Sequence, residues 1–174
     1  NYLRIPKLGW VKMAQEVRFP GEIKSVTISR EADQWYASFS VKIDDTWVYP
    51  NCCENQTAVG IDLGISTTLT LSEGIKISLP KSLERLYWKI RRAQRSLSRK
   101  QRRSQNREKA KLVIARLWRK VRRIRHDWTH RVTSGLVRAY GLIGMEDLHV
   151  KGMMKLHTLA RKIGEACWGE IRRQ

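Results

Sequence analysis

The feature that most restricts how this chain can fold is a basic block with a helical period. Between Lys81 and Arg138 stand 21 Lys and Arg against 3 Asp and Glu, a net of +18 out of a formal +19 for all 174 residues. The rest of the chain is nearly balanced. Within the block Leu83, Leu86, Ile90, Ala93 and Leu97 recur at spacings of three and four, and Ala110, Ile114, Leu117, Val121, Ile124 and Trp128 do the same. Such spacing makes the seams of two amphipathic helices that cover each other. The polar stretch Ser98 to Asn106 separates them, and Asn106 followed by Glu108 is the expected N-cap with an acid in the first turn. A second helix from Arg107 to Arg138 would be roughly 48 Å long at about 1.5 Å per residue. The expected element is a long helical hairpin over 81–138.

Away from the seams the basic residues line up. Arg85, Arg92 and Arg99 follow at seven-residue spacing, as do Lys109, Arg116 and Arg123, with Lys89, Arg95, Arg102 and Arg119 beside them. Solvated coiled-coil faces mix charge signs, whereas these stripes do not, and a block this basic needs a polyanion to offset its self-repulsion. Arg outnumbers Lys, which favours bidentate phosphate contact. The narrow seams differ from the broad apolar face of an interfacial membrane helix. Nucleic acid is therefore the expected partner, and these ten residues are the candidate contacts.

Other classes are excluded by composition. Hydrophobic residues at 41% are too many for a disordered polycation. No apolar stretch approaches the roughly 18–20 residues that span a bilayer, so no membrane partner is expected. Asn1 to Trp10 lacks the features of a signal peptide. Cys52, Cys53 and Cys167 are an odd number without a C-x-x-C pair, which points to a reducing compartment.

The flanks of the block read as strands. From Glu22 to Ile43, Val26 and Ile28 and then Trp35, Ala37, Phe39, Val41 and Ile43 alternate around a turn at Glu31 to Gln34, a hairpin with one buried face. Trp10 to Met13 is a further candidate strand, so residues 1–50 are expected to form part of a small β-sheet or barrel, with 51–56 a linker. Ala58 to Ile65, Thr67 to Leu71 and Ile75 to Leu79 follow as three strands, and Tyr140 to Met145 as a fourth after the helices. That order is α/β, a meander with a parallel return.

Two carboxylates stand out in these strands. Asp62 shares a strand face with Gly60 and Gly64, and Glu146 shares one with Gly144, so Gly60-Ile61-Asp62 matches Gly144-Met145-Glu146. A carboxylate on a buried strand needs a cation, and flanking glycines leave room for one. Two hard oxygen ligands on neighbouring strands suit Mg²⁺. Beside a basic nucleic-acid face the matching reaction is phosphodiester hydrolysis, with Asp62 bridging two ions and Glu146 holding one. A third carboxylate is wanted. Glu165 and Glu170 are expected to face solvent on a helix carrying Leu156, Leu159, Ile163, Cys167 and Ile171. His126 and His130, four apart beside Asp127, are expected to be surface histidines.

Several motifs in order now resemble one family. Gly60-Ile-Asp62-Leu-Gly-Ile, the Arg-rich hairpin closing on Asp127-Trp-Thr-His130, Ile143-Gly-Met-Glu146-Asp-Leu with Val150-Lys-Gly-Met153, and Cys167-Trp-Gly-Glu-Ile-Arg-Arg-Gln174 are similar to segments of the TnpB (OrfB) proteins of bacterial and archaeal insertion sequences. Leu8-Gly-Trp-Val-Lys12 and the Gly21 to Ile43 hairpin resemble that family's wedge domain. The resemblance implies an RNA-guided DNA endonuclease related to type V CRISPR effectors. Its fold would be a ribonuclease H-like RuvC mixed sheet over 57–174, split by the basic hairpin and preceded by a partial β-barrel, wedge-like module. It implies Asp62 and Glu146 as the first two catalytic acids and Mg²⁺ ligands, guide RNA and target DNA as partners, and the bacterial or archaeal cytoplasm as location. The family's inserted recognition domain, zinc ribbon and third RuvC Asp have no counterpart in these 174 residues, and Gln174 falls mid-helix. The expectation is therefore a fragment or truncated copy of a RuvC-type endonuclease, with zinc expected only in the ribbon. Two alternatives stay open: a noncatalytic nucleic-acid-binding remnant or regulator, and an actin-like Mg·ATP-binding protein, whose phosphate loop Asp62-Leu-Gly-Ile-Ser-Thr67 resembles.

Overall fold

A computed structural model describes residues 1–43 and 57–174. The linker expected at 51–56, with Cys52 and Cys53, lies outside the described residues. The chain divides into two compact units, Asn1–Pro50 and Asn51–Gln174.

Among its described residues the first unit holds two separate two-stranded antiparallel sheets. In one, β1 (Tyr2–Ile5) pairs with β2 (Gly9–Lys12), with Tyr2 opposite Lys12. In the other, β3 (Glu22–Glu31) pairs with β4 (Gln34–Lys42), reversing through Ala32 and Asp33, where Ala32 takes a positive φ of 57°. The hairpin expected at 22–43 is present, but its buried face is not. Alternation survives in β4, where Ala37, Phe39 and Val41 are half-buried between exposed Ser38 and Ser40. Along β3 every residue before Glu31 is exposed. Burying a sheet face takes a second layer, and among the described residues of this unit none lies on the hairpin. No closed barrel forms among the described residues.

The second unit is built on a four-stranded sheet ordered β7-β6-β5-β8. Strand β5 (Ala58–Leu63) runs antiparallel to β6 (Leu69–Leu71), which runs antiparallel to β7 (Lys76–Ile77). Between β5 and β6 a Cβ on Gly64 would fall 2.5 Å from the Thr67 carbonyl oxygen, so the turn admits only glycine there. Strand β8 (Leu142–Met145) returns parallel beside β5, as the order of elements demanded. The crossover between β7 and β8 carries the helical hairpin.

Helix α1 (Ser82–Ser98) and helix α2 (Gln105–Ala139) meet along the expected seam, burying Leu83, Leu86, Ile90 and Val121 with Leu117 and Ile124 partly covered. The seam of α2 then changes partner. Trp128, Val132 and Leu136 pack on the sheet face formed by Val59, Ile61, Leu69 and Leu71. One apolar stripe thus serves two layers, which is how a hairpin this long stays anchored to so small a sheet. The N-cap of α2 is Ser104 rather than Asn106: its Oγ accepts from the Arg107 N–H at 3.2 Å, and Glu108 follows in the first turn. Arg107 also donates to the carbonyls of Leu97 and Lys100 at the end of α1, at 2.9 and 3.1 Å. A basic residue of the block therefore closes the hairpin turn.

The single terminal helix expected through Leu156, Ile163 and Ile171 is broken. After a short α3 (Val150–Met153), α4 (Ala160–Glu165) and α5 (Trp168–Arg173) are separated at Cys167, whose φ is +62°. The break has a packing reason. Ile163, Ala166 and Trp168 bury against Leu63, Leu148 and Met153, whereas Cys167 and Ile171 join the sheet core. A straight helix would put Ile163, Cys167 and Ile171 on one stripe, facing one neighbour. Arg125 of α2 reaches the break, donating to Cys167 Sγ at 2.9 Å and to the Gly164 carbonyl at 2.7 Å. Burial works against the Arg125 charge, but its contacts with Cys167, Tyr87 and Glu165 outweigh that and hold the guanidinium above its ordinary value.

Candidate functional site

The register of β5 on β8 builds the site. Gly60 lies opposite Gly144, and Ile61 opposite Met145. Asp62 directly follows the last β5 residue paired with β8, and Glu146 is the first residue past β8. Val59 and Ile61 point into the core, and the alternation leaves Gly60 and Asp62 on the opposite, exposed face. The first two residues of the matched triplets are thus paired across the strands. A Cβ on Gly60 would come no closer than 3.7 Å to Ser72, and one on Gly144 no closer than 3.8 Å to a Val59 oxygen. The sheet surface beside the carboxylates is therefore low and open.

The burial expected for these carboxylates is not observed. Asp62 and Glu146 are both exposed, because nothing among the described residues layers over that face. Neither side chain makes a hydrogen bond or ion pair among the described residues. Two exposed carboxylates without side-chain partners are hard oxygen donors available to a divalent cation. Asp147 is differently employed: it pairs with Arg172, tying the end of β8 to α5. A cleft of about 460 Å³ opens beside it, lined by Leu63, Glu146, Asp147, His149, Trp168 and Arg172 among others.

No group of three or more His, Cys, Asp or Glu positioned for a metal occurs among the described residues. Glu165 and Glu170, expected to face solvent, are half-buried and engaged: Glu165 pairs with Arg161 at 3.0 Å and Glu170 with Arg173 at 2.5 Å. The Arg173 hydrogen bond, helped by Gln174, holds the Glu170 carboxyl below the usual glutamate range. His126 and His130 stack edge to face with their Nε2 atoms 3.1 Å apart, and Gln174 lies 3.2 Å from His130.

The candidate nucleic-acid residues are placed on the outside of the hairpin. Arg85, Lys89, Arg92 and Arg95 are exposed along α1, Arg99 and Arg102 along the turn, and Lys109, Arg116 and Arg123 along α2, whereas Arg119 is half-buried. Between the helices Lys89, Arg92, Lys100 and Lys109 edge a groove of about 600 Å³ floored by Ala93 and Ala110. Sequence periodicity passed over two arginines with internal duties, Arg107 and Arg125, because only the folded turn and the α4–α5 break supply their acceptors.

Comparison with known proteins adds the family. The OrfB_IS605 family model, described as "Probable transposase", matches residues 38–157, which contain both carboxylates and the whole hairpin. The chain belongs to the TnpB/OrfB family. It is 33% identical over 186 aligned residues to the Escherichia coli (strain K12) protein named "Putative RNA-guided DNA endonuclease InsQ", a match covering 98% of this chain and 45% of that protein. It is 39% identical over 152 residues to the Streptomyces pristinaespiralis protein named "Putative RNA-guided DNA endonuclease", covering 87% of this chain and 37% of that protein. This TnpB/OrfB chain therefore spans less than half the length of these relatives. No helix among the described residues is long and apolar enough to cross a membrane.

Proposed function

We propose that this TnpB/OrfB chain is the part of a transposon-associated, RNA-guided, Mg²⁺-dependent DNA endonuclease that carries two catalytic carboxylates and a basic hairpin for guide RNA and target DNA. The observation that supports the reading is the parallel register that pairs Gly60-Ile61 with Gly144-Met145, just before the two carboxylates, in a chain whose relatives carry the name "Putative RNA-guided DNA endonuclease". The donors fit the ion. Two exposed, uncommitted carboxylates are hard oxygen ligands with space for the waters Mg²⁺ retains. Bound there, Mg²⁺ would polarise a phosphoryl oxygen and lower the pKa of a coordinated water.

The chain's own residues do the positioning. Asp62 leaves a central strand whose neighbours Ile61 and Leu63 are held in the core, which limits its reach. Asp147, next to Glu146, pairs with Arg172 of α5. The hairpin would grip phosphates, leaving sequence to be read by base pairing between guide and target. In this reading the second unit is the RuvC-like, ribonuclease H-type domain and the first a wedge-like module, working in the cytoplasm.

The second reading, a nucleic-acid-binding protein without cleavage, needs only the exposed basic stripes of the hairpin. One experiment separates them. Nucleic-acid binding and Mg²⁺-dependent cleavage are measured on the chain and on Asp62→Asn. Endonuclease function requires cleavage that Asp62→Asn abolishes while binding persists. Binding without cleavage in either protein selects the second reading, and failure to bind RNA or DNA removes both.

A further inference from the structure

Trp88 is 64% exposed in the middle of α1, on the side away from the buried seam of Leu83, Leu86 and Ile90. Single exposed hydrophobic residues need no explanation by themselves. Trp88 is set apart by its neighbours. At about 100° per residue, Arg85, Trp88, Arg92, Arg95 and Arg99 fall within an arc of about 80°, so the indole interrupts the arginine stripe. Arg85 stands three residues before it and Arg92 four residues after, the spacings at which helix side chains are neighbours. All of these residues are exposed, and Glu84 is the only acid in the helix. Trp118, the other exposed tryptophan of the hairpin, instead packs edge-on against Tyr87 at 6.1 Å.

We propose that Trp88 is a stacking platform for an unpaired base of single-stranded nucleic acid, with Arg85 and Arg92 holding the phosphates on either side. The inference rests on the reading of the hairpin as a nucleic-acid face and goes further, because it names the form of nucleic acid that contacts α1. A ring standing out from a cationic helix offers a flat apolar surface that every base can use, flanked by charges that suit a phosphodiester backbone. A regular duplex hides its base faces within the stack, so it can use the arginines but not the ring. Arginine stripes without the ring would serve either form.

The test measures binding of the chain to an unstructured single-stranded RNA, the DNA strand of the same sequence and the corresponding DNA duplex by fluorescence anisotropy. Trp88→Leu, at an exposed position, is expected to keep the thermal midpoint and to lose about tenfold or more in single-strand affinity, with duplex affinity unchanged. Trp88→Phe, which keeps a ring, is expected to retain most of the single-strand affinity. That contrast also separates stacking from any change in fold. A loss on RNA alone places the guide strand on the platform, and a loss on DNA alone a displaced DNA strand. Both support the proposal. Equal single-strand binding by wild type and Trp88→Leu overturns it, as does an equal loss on duplex. A wild-type chain that binds duplex but no single strand overturns the platform alone and leaves the basic face intact. A chain that binds neither removes the underlying reading as well.

Discussion

Ile61 of β5 lies opposite Met145 of β8 in parallel register, and each is followed in the chain by an exposed carboxylate, Asp62 and Glu146. In the proposed reading a shared cation needs both carboxylates, which stand 84 residues apart in sequence. Asp62→Asn and Glu146→Gln are each expected to weaken Mn²⁺ binding, followed by electron paramagnetic resonance with Mn²⁺ replacing Mg²⁺. Each loss should be at least the about tenfold that follows removal of a supporting second-sphere group. If one variant binds Mn²⁺ as tightly as wild type, the two residues do not share an ion.

The basic stripe predicts a salt dependence. Each phosphate contact releases counterions, so the slope of log affinity against log salt counts contacts. Replacing Arg85, Arg92 and Arg99 together by Gln should reduce the slope for duplex DNA by about 2 to 3. The thermal midpoint should not fall, since all three are exposed. An unchanged slope would move the interface off this face of α1.

The cap of α2 gives a sharp local test. Ser104→Ala removes the acceptor of the Arg107 N–H and should cost about 1 kcal/mol by urea denaturation. Asn106→Ala, at an exposed position inside the helix, should stay within about 0.5 kcal/mol. The reverse order of effects would restore the cap expected from the sequence.

Packing along the hairpin is uneven. Ile90 is 2% exposed in the seam and Val113 is 48% exposed. Ile90→Ala should cost about 2–5 kcal/mol, and Val113→Ala should remain within about 0.5 kcal/mol. Equal costs in urea denaturation would mean that the two helices do not pack through Ile90.

Glu170 introduces a pH dependence at the acid end. Its folded carboxyl is held below the usual range by Arg173, with Gln174 assisting. A lowered folded pKa contributes stability that is present above the unfolded value and is lost as the pH falls through the folded one. Relative to wild type, Glu170→Gln should flatten the fall in thermal midpoint below about pH 4.3, the ordinary glutamate value. Curves that stay parallel through the acid range would show the contact with Arg173 to be unformed.

What the sequence determined by itself were the features carried by local periodicity. The three-and-four spacing of Leu83 to Leu97 and of Ala110 to Trp128 defined two helices and their common seam. The β-order with one long crossover defined a parallel return, and the matched triplets around Asp62 and Glu146 marked the carboxylates. Each is a repeat written along a few turns or one strand, so short windows suffice to read it. The tertiary structure decided what depends on a neighbour distant in sequence. It chose Ser104 as the cap because Arg107 closes the turn against Leu97 and Lys100. It broke the terminal helix at Cys167 because Ile163 and Ile171 serve different cores. The β3–β4 hairpin lies open despite its alternation, since alternation specifies a face and only a second layer buries it. The same physics leaves Asp62 and Glu146 exposed: the pattern fixes which way a side chain points, and the fold decides what it meets.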